Sequence, residues 1–132
     1  PGDKPWEEFA LKDDELITHV TLDAPLQGGK SGYLKLRDRS SYQFALASSA
    51  VIVALDGNTI RDARLALGGV ATKPWRALEA EQALKGQPAN TTTFEKAARI
   101  AMQAAKGYEH NAFKIPLGQQ AIVRTLTNLT AG

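Results

Sequence analysis

The order of the predicted elements indicates an α+β fold, in which an antiparallel sheet of about four strands is covered on one face by three helices. Residues 15–67 are rich in β-branched and small apolar side chains, whereas residues 73–130 carry apolar side chains at helical spacing. Strands that precede helices favour two segregated layers over alternating βαβ units. We expect residues 15–132 to form one domain and residues 1–14 to form an arm anchored by Trp6 and Phe9.

Four stretches have the composition of strands and end at residues that favour turns. The predicted strands cover residues 15–22, 31–39, 42–55 and 59–67. In the second, Leu34 and Leu36 alternate with polar side chains, which indicates one buried and one polar face. Asp56-Gly57-Asn58 is a strong hairpin signal, because an Asp-Gly pair suits backbone angles that β-branched residues avoid. The side chains expected to point inward from the fourth strand are Ala63, Leu65 and Leu67.

Three helices are predicted after Gly68-Gly69. The first begins at Lys73-Pro74, where proline suits a first turn, and ends at Gly86. The second begins with a capping box formed by Thr92 and Glu95 and continues to about Lys106. The third begins near Ile115, and the apolar stripe that packs it onto the domain is Leu117, Ala121, Ile122, Leu126 and Leu129.

The composition excludes several classes of chemistry. The chain has no cysteine, so it contains no disulfide, thiolate metal site or iron–sulfur ligand. Its two histidines stand far apart and near no serine at a recognisable spacing, so we expect neither catalytic residues nor a metal site. The net charge of +2 and the lack of an apolar run of about 20 residues give no support to nucleic-acid binding or a membrane span.

The most distinctive stretch is Lys35-Leu-Arg-Asp-Arg39, which places four charges in five residues just before a predicted corner at Ser40-Ser41. This stretch either holds an anionic group or is a solvated sheet edge, as charge runs usually are. Gly68-Gly69 either approaches a phosphate or ring with its backbone or forms a plain turn. The residues therefore indicate an α+β module that binds an anionic ligand or a partner chain.

Several dispersed strings resemble one family. They are Tyr33-Leu-Lys-Leu-Arg-Asp-Arg-Ser-Ser-Tyr-Gln-Phe-Ala45, Leu65-Ala-Leu-Gly-Gly-Val-Ala71, Lys73-Pro-Trp-Arg76 and His110-Asn-Ala-Phe-Lys114. In this order they resemble the C-terminal domain of flavoprotein subunits in the xanthine dehydrogenase, or molybdenum hydroxylase, family, and most of all the three-subunit aldehyde oxidoreductases. Glu15–Leu22 resembles the strand that enters that domain. The fold that this implies is the CO dehydrogenase flavoprotein C-terminal domain.

The resemblance implies the C-terminal domain of an FAD-binding subunit, which covers the flavin that receives electrons from iron–sulfur clusters. It implies an upstream FAD-binding domain that leads into the arm at residues 1–14 and grips most of the cofactor, so that this chain alone binds FAD weakly or not at all. The further partners are a molybdopterin subunit and an iron–sulfur subunit. The expected compartment is the cytoplasm, or the periplasm through a signal-bearing partner. The alternative is a non-catalytic module that assembles the same complex.

Three cofactor-contacting residues follow from the resemblance. Lys35 matches a family lysine close to the flavin, where its charge can stabilise electron density on the ring. Ile17 falls where the family places an apolar residue against the cofactor. Tyr42 stands where many relatives have an acid, and this departure leaves a phenol that can stack or donate a hydrogen bond.

Overall fold

The computed structural model describes Lys4 and residues 6–131, so residues 1–3 and 5 of the predicted arm lie outside it. Four strands come first along the chain and three helices follow. They are β1 (Gly29–Leu36), β2 (Ala47–Asp56), β3 (Thr59–Gly68), β4 (Trp75–Arg76), α1 (Leu78–Leu84), α2 (Thr91–Ala101) and α3 (Lys114–Thr130). The predicted α+β class is confirmed. None of the described helices is long and apolar enough to cross a bilayer.

The four strands form one antiparallel sheet in the order β1-β2-β3-β4. Ala50 of β2 lies opposite Tyr33 of β1 and Ala66 of β3, and Ala66 also lies opposite Arg76 of β4. The turn between β2 and β3 contains Gly57 with a φ of 58°, a conformation that glycine adopts without steric cost. The predicted hairpin is therefore confirmed.

All three helices contribute to one layer against the sheet. Helix α3 packs on β1 and β2, α1 packs on β3, and α2 packs on both other helices. The large, almost fully buried side chains at this interface are Val51, Val53, Leu65, Leu67, Leu84, Phe94, Ile122 and Leu126. Ala63, Leu65 and Leu67 are at most 1% exposed, which confirms their predicted inward orientation.

The predicted strand at Glu15–Leu22 is wrong. These residues pair with no strand within the described part of the chain, and the fourth strand of the sheet is Trp75–Arg76 instead. The β-forming composition is a local property, whereas a strand also needs a neighbouring edge for its backbone hydrogen bonds. The anchoring predicted for Trp6 and Phe9 is also wrong, because their side chains are 72% and 71% exposed. That residues 1–14 form an entry arm stays a prediction.

The other strand predictions are correct in kind and differ at their ends. β1 begins at Gly29 rather than at residue 31 and stops at Leu36, three residues before the predicted end. β2 begins only at Ala47, because residues 42–46 belong to the preceding connection. Alternation identifies which residues can form a strand but not where pairing stops.

The first helix begins later than predicted. Trp75 and Arg76 pair with Leu67 and Ala66 of β3, so the chain after Pro74 is a short strand and α1 begins only at Leu78. Proline is compatible with a first helical turn but also with an edge strand. In neither position does the backbone N–H, which proline lacks, have to donate a hydrogen bond. The predicted C-terminal end of this helix is confirmed, since α1 ends just before Gly86, which has a φ of 76°.

The ends of α2 also differ from the prediction. The side chain of Asn90 accepts a hydrogen bond from the Thr93 amide at 2.9 Å, so Asn90 is the N-cap and the Thr92–Glu95 capping box is wrong. The helix ends at Ala101 rather than near Lys106. Its predicted buried residues Phe94, Ala97, Ala98 and Ala101 are buried. The third helix is confirmed and begins one residue before Ile115.

A buried carboxylate connects the two layers. The side chain of Glu81 in α1 is 8% exposed, and its Oε1 accepts a hydrogen bond from the Leu65 amide of β3 at 2.8 Å. Both Glu81 oxygens also accept hydrogen bonds from the Arg76 guanidinium of β4, one from Nη2 at 3.0 Å and one from Nε. This bidentate hydrogen bond raises the pKa of the Arg76 guanidinium above its usual value.

We expect Leu126→Ala to lower the free energy of unfolding by about 2–5 kcal/mol, because it leaves a cavity between α3 and the sheet. The matched variant Leu16→Ala should change it by less than about 0.5 kcal/mol, since Leu16 is 84% exposed on the unpaired segment. Urea denaturation of the 132-residue chain measures both. Equal losses would contradict the absence of packing at residue 16.

Glu81→Ala should lower the free energy of unfolding by roughly 1–3 kcal/mol, because the Leu65 amide loses its acceptor. Glu81→Gln keeps an acceptor oxygen and should lose less. Glu79 is exposed on the same helix and provides the control, because Glu79→Gln should leave the urea midpoint nearly unchanged. A midpoint that is the same for Glu81→Ala and Glu79→Gln would refute the role given to Glu81.

Candidate functional site

The sheet surface opposite the helices is open. Leu129 of α3 packs over Gly32, so the residues that alternate with Gly32 point away from the helices. By register this open face consists of Ser31, Tyr33, Lys35, Ser48, Ala50, Ile52, Arg64, Ala66 and Arg76. A depression of about 430 Å³ lies on it, with a floor of Ala50, Ile52 and Ala66. The open face can therefore receive a flat apolar group.

Two arginines on the open face have their charge paired within the fold. Arg76 is held by Glu81, and Arg64 Nη1 donates a hydrogen bond to Asp62 Oδ1 at 2.6 Å. That hydrogen bond lowers the pKa of the Asp62 carboxyl group, and a further hydrogen bond from the Ala63 amide acts in the same direction. Lys35 lies on the same face and forms no ion pair with the residues that the structure describes. It is therefore a cation that a ligand can use.

The connection between β1 and β2, residues 37–46, forms an ordered loop beside Lys35. We call it the β1–β2 loop. The Gln43 side-chain oxygen accepts hydrogen bonds from the backbone amides of Asp38 and Arg39 at 3.0 and 3.1 Å. The Leu46 amide donates to the Leu36 carbonyl at 2.8 Å and closes the base of the loop. These bonds fix a backbone that exposes its aromatic side chains.

Two aromatic side chains project from the β1–β2 loop. Tyr42 and Phe44 are each 94% exposed, and Tyr42 has a φ of 52°, an uncommon conformation for a residue other than glycine. With Lys35 and Gln43 they line a cavity of about 340 Å³. A residue held in such a conformation on a fixed loop is a candidate for a binding role.

The structure brings together two of the three predicted cofactor-contacting residues. Lys35 and Tyr42 line the same cavity, although they belong to β1 and to the loop after it. Ile17 does not line that cavity and is 63% exposed on the unpaired segment before β1. The sequence reasoning missed Gln43 and Phe44. The available signal for Phe44 was a second aromatic side chain two residues after Tyr42, directly after the polar Gln43.

At Gly68-Gly69 the backbone after β3 passes very close to the backbone of the β1–β2 loop. Gly69 has a φ of 74°, and a Cβ atom there would lie 2.7 Å from the Ala45 carbonyl oxygen of the β1–β2 loop. Such a distance requires a residue without a side chain. Lys114 donates a hydrogen bond to the Gly69 carbonyl at 3.0 Å. The glycines therefore allow the connection after β3 to pass against the loop that carries Tyr42 and Phe44.

Within the described residues, no group of three or more histidine, aspartate or glutamate side chains is arranged to hold a metal ion. His110 lies 3.8 Å from Glu109 on the surface, and His19 hydrogen-bonds with the neighbouring Thr18 hydroxyl.

Residues 32–128 match the CO dehydrogenase flavoprotein C-terminal domain family, and the chain belongs to that family. It is 42% identical over 133 residues to the aldehyde oxidoreductase FAD-binding subunit PaoB of Escherichia coli K12, an alignment that covers 99% of this chain and 38% of that protein. It is also 42% identical over 76 residues to the glyceraldehyde dehydrogenase medium chain of Sulfolobus acidocaldarius, covering 58% of this chain and 26% of the relative. The predicted family is confirmed.

Solved structures have the same fold. A carbon monoxide dehydrogenase chain from Hydrogenophaga pseudoflava superposes with a TM-score of 0.73 at 28% identity, over 82% of this chain and 39% of that chain. Quinoline 2-oxidoreductase from Pseudomonas putida 86 superposes with a TM-score of 0.72 at 21% identity, over 80% of this chain and 38% of that chain. The chain therefore spans about two fifths of these relatives, and its fold is the one predicted.

The Asp62–Arg64 pair predicts a pH dependence. Because the pKa of Asp62 is lower in the folded state, its contribution to stability is present above the unfolded value of about 3.9 and is lost as the pH falls through the folded value. We expect the chain to have a higher Tm than its Asp62→Asn variant at pH 7, with the difference closing below about pH 4. Arg64→Gln should remove most of this pH dependence. A Tm difference independent of pH would contradict the role of the ion pair.

Proposed function

We propose that this chain is the C-terminal domain of the FAD-binding subunit of a molybdenum hydroxylase of the aldehyde oxidoreductase type. In this role it covers the flavin ring with its open face and its β1–β2 loop. The family membership and the similarity to an FAD-binding subunit support the cofactor class. The observation that carries the proposal is the cavity shared by Lys35, Tyr42, Gln43 and Phe44.

The residues of this cavity suit a flavin ring. An isoalloxazine is a flat heteroaromatic system whose faces are apolar and whose edge carries hydrogen-bonding oxygen and nitrogen atoms. Tyr42 and Phe44 offer aromatic faces for stacking, and the Lys35 ammonium offers a charge for the polar edge. The described residues hold no disulfide or metal cluster that would direct the site to another cofactor.

The chemistry that FAD supplies when bound is electron acceptance and transfer. The part of this chain would be electrostatic: the Lys35 ammonium, placed beside the ring, would stabilise the negative charge of the reduced form. Lys35 is suited to this because it has no ion pair among the described residues, whereas Arg64 and Arg76 are paired. The side chains of Tyr42 and Phe44 would shield one side of a bound flavin from water and hold its position.

The proposal also includes parts of the complete subunit and of its complex that lie outside this chain. An upstream domain that grips most of FAD, reached through residues 1–14, is part of the proposal, as are a molybdopterin subunit and an iron–sulfur subunit. Ile17 is proposed to supply an apolar cofactor contact once the segment that carries it is placed against the upstream domain. The cytoplasm, or the periplasm through an exported partner, stays a prediction from the resemblance.

A second candidate function is assembly of the same complex without contact to the flavin. The observation that favours it is the exposure of Leu78 and Phe113, at 53% and 50%, next to the helical layer. These side chains are single apolar residues at the ends of α1 and α3. Isolated exposed apolar residues are common on protein surfaces, so this observation is the weaker one.

In the complete complex, Lys35→Met should make the flavin reduction potential more negative by roughly 30 mV, which is about 1.4 kcal/mol for a two-electron couple. This size is expected for a nearby charge that is partly exposed to water. Spectroscopic titration against reference dyes measures it. Lys30→Met is the matched control, because Lys30 is on the same strand but points to the other face of the sheet.

A potential that stays unchanged in Lys35→Met would contradict the proposed cation. Unchanged potential and FAD content, together with loss of subunit assembly in Leu78→Glu, would support the assembly function instead. If Lys30→Met shifts the potential as much as Lys35→Met does, the effect is one of overall charge rather than of position.

A further inference from the structure

A separate cavity of about 80 Å³ is formed by three parts of the chain that meet beside the helical layer. They are the connection from β3 into β4, the turn after α2, and the residues around the start of α3. We call it the α2–α3 cavity. None of its lining residues lines the cavity beside the β1–β2 loop, so the proposed function does not account for it.

One side of the α2–α3 cavity is apolar and firmly held. It includes Trp75, Met102 and Ile115. Trp75 and Ile115 pack against the hydrophobic core, and Met102 is 3% exposed. Met102 also packs closely on α3, because a Cβ atom at Gly118 would lie 3.3 Å from its Cε atom. This side therefore offers a fixed surface to a small apolar group.

The other side carries two ammonium groups. Lys114 Nζ donates a hydrogen bond to the Gly69 carbonyl at 3.0 Å, which positions the ammonium and leaves it two further donors. Lys106 lines the same cavity. Neither lysine forms an ion pair with the residues that the structure describes, and the first turn of α3 contains no acidic residue. Two like charges at one cavity favour an anion between them.

The third polar group of the cavity is also a donor. The Asn111 side-chain oxygen accepts a hydrogen bond from the Tyr108 amide at 2.7 Å, so the NH₂ group of Asn111 is left to donate. The carboxylate of the same connection, Glu109, does not line the cavity and lies 3.8 Å from His110 instead. The side chains that line the polar side therefore offer hydrogen-bond donors, and a ligand must supply the acceptors.

Size and polarity narrow the class of ligand. At roughly 30 Å³ for each water molecule, the volume holds one small group and is too small for a nucleotide. Inorganic phosphate needs polar partners on all sides, and the apolar side of the cavity provides none. A short aliphatic carboxylate places its oxygens at the lysines and its carbon atoms against Trp75 and Met102.

We propose that the α2–α3 cavity binds a short aliphatic carboxylate such as propionate. Lys106 and Lys114 would bind the carboxylate by charge-assisted hydrogen bonds, with the Asn111 NH₂ group as a further donor. Oxidation of an aldehyde yields a carboxylic acid, so a complex of the aldehyde oxidoreductase type would release acids of this class. That source of the ligand alone rests on the proposed function, whereas the site rests on the cavity and its donors.

Tryptophan fluorescence of the 132-residue chain, without flavin, tests the proposal. The chain has two tryptophans, and Trp6 is 72% exposed, so Trp6→Phe leaves Trp75 as the reporter in the cavity. Sodium propionate replaces sodium chloride at constant ionic strength. We expect a saturable change in emission with a Kd in the millimolar range, as suits a ligand of few atoms. Propionamide has a similar shape without the charge and should give no saturable change.

Lys106→Met should weaken propionate binding at least about tenfold, because one charge-assisted hydrogen bond is lost. Lys106 is exposed and donates no side-chain hydrogen bond to a described residue, so this variant should keep the Tm of the parent chain. Lys96→Met is the matched control, since Lys96 is exposed on α2 and does not line the cavity. It makes the same change in charge and should leave the Kd unchanged.

Lysine acetylation followed by mass spectrometry gives a second readout that does not depend on fluorescence. Propionate should slow the labelling of Lys106 and leave that of Lys96 unchanged. The same measurement applies to the complete complex, where Lys106 should be reactive without propionate and protected with it. This arm distinguishes a free acid from a carboxylate side chain of a neighbouring subunit, which would protect Lys106 whether or not propionate is present.

Five results would overturn the proposal. They are the absence of both saturation and protection; an equal response to propionamide, which would mean an apolar cavity alone; binding of phosphate as tight as that of propionate, which would mean a general anion site; equal weakening by Lys96→Met, which would mean overall charge; and a Lys106 that is unreactive in the complex without propionate. FAD takes no part in these measurements, so their failure leaves the proposed function to its own test.

Discussion

The fold depends on the carboxylate of Glu81, which lies where the helical layer meets the edge of the sheet. Its backbone belongs to α1, while its oxygens accept hydrogen bonds from the Leu65 amide of β3 and from Arg76 of β4. β4 has only two residues and pairs with β3 over two positions, so the sheet edge gains much of its definition from this contact. The link also neutralises an arginine that would otherwise compete for an anionic ligand on the open face.

The two faces of the sheet have separate roles because only one is covered. Large side chains such as Leu65 and Leu67 bury their surface against the helices and supply the stability. On the other face, Ala50 and Ala66 leave a shallow floor, and the β1–β2 loop adds two projecting rings. A ligand-binding surface of this kind needs a rigid support, which the covered face provides.

Features set by neighbouring residues were predictable from the sequence. The Asp56-Gly57 turn and the inward orientation of Ala63, Leu65 and Leu67 follow from turn chemistry and alternation, and both are observed. The family resemblance identified Lys35 and Tyr42, which share a cavity. The helix N-caps were less predictable, because several polar residues precede α2 and backbone geometry selects Asn90 over Thr92.

The sequence by itself determined the fold class, the hairpin, the buried faces and the cationic stretch, because each of these arises from residues close together in the chain. Only the tertiary structure decided that Trp75–Arg76 completes the sheet while Glu15–Leu22 does not. The physical reason is that strand formation requires a free edge within reach, and Trp75–Arg76 occupies the edge of β3. Composition makes a segment able to pair, and the position of the rest of the chain decides whether it does.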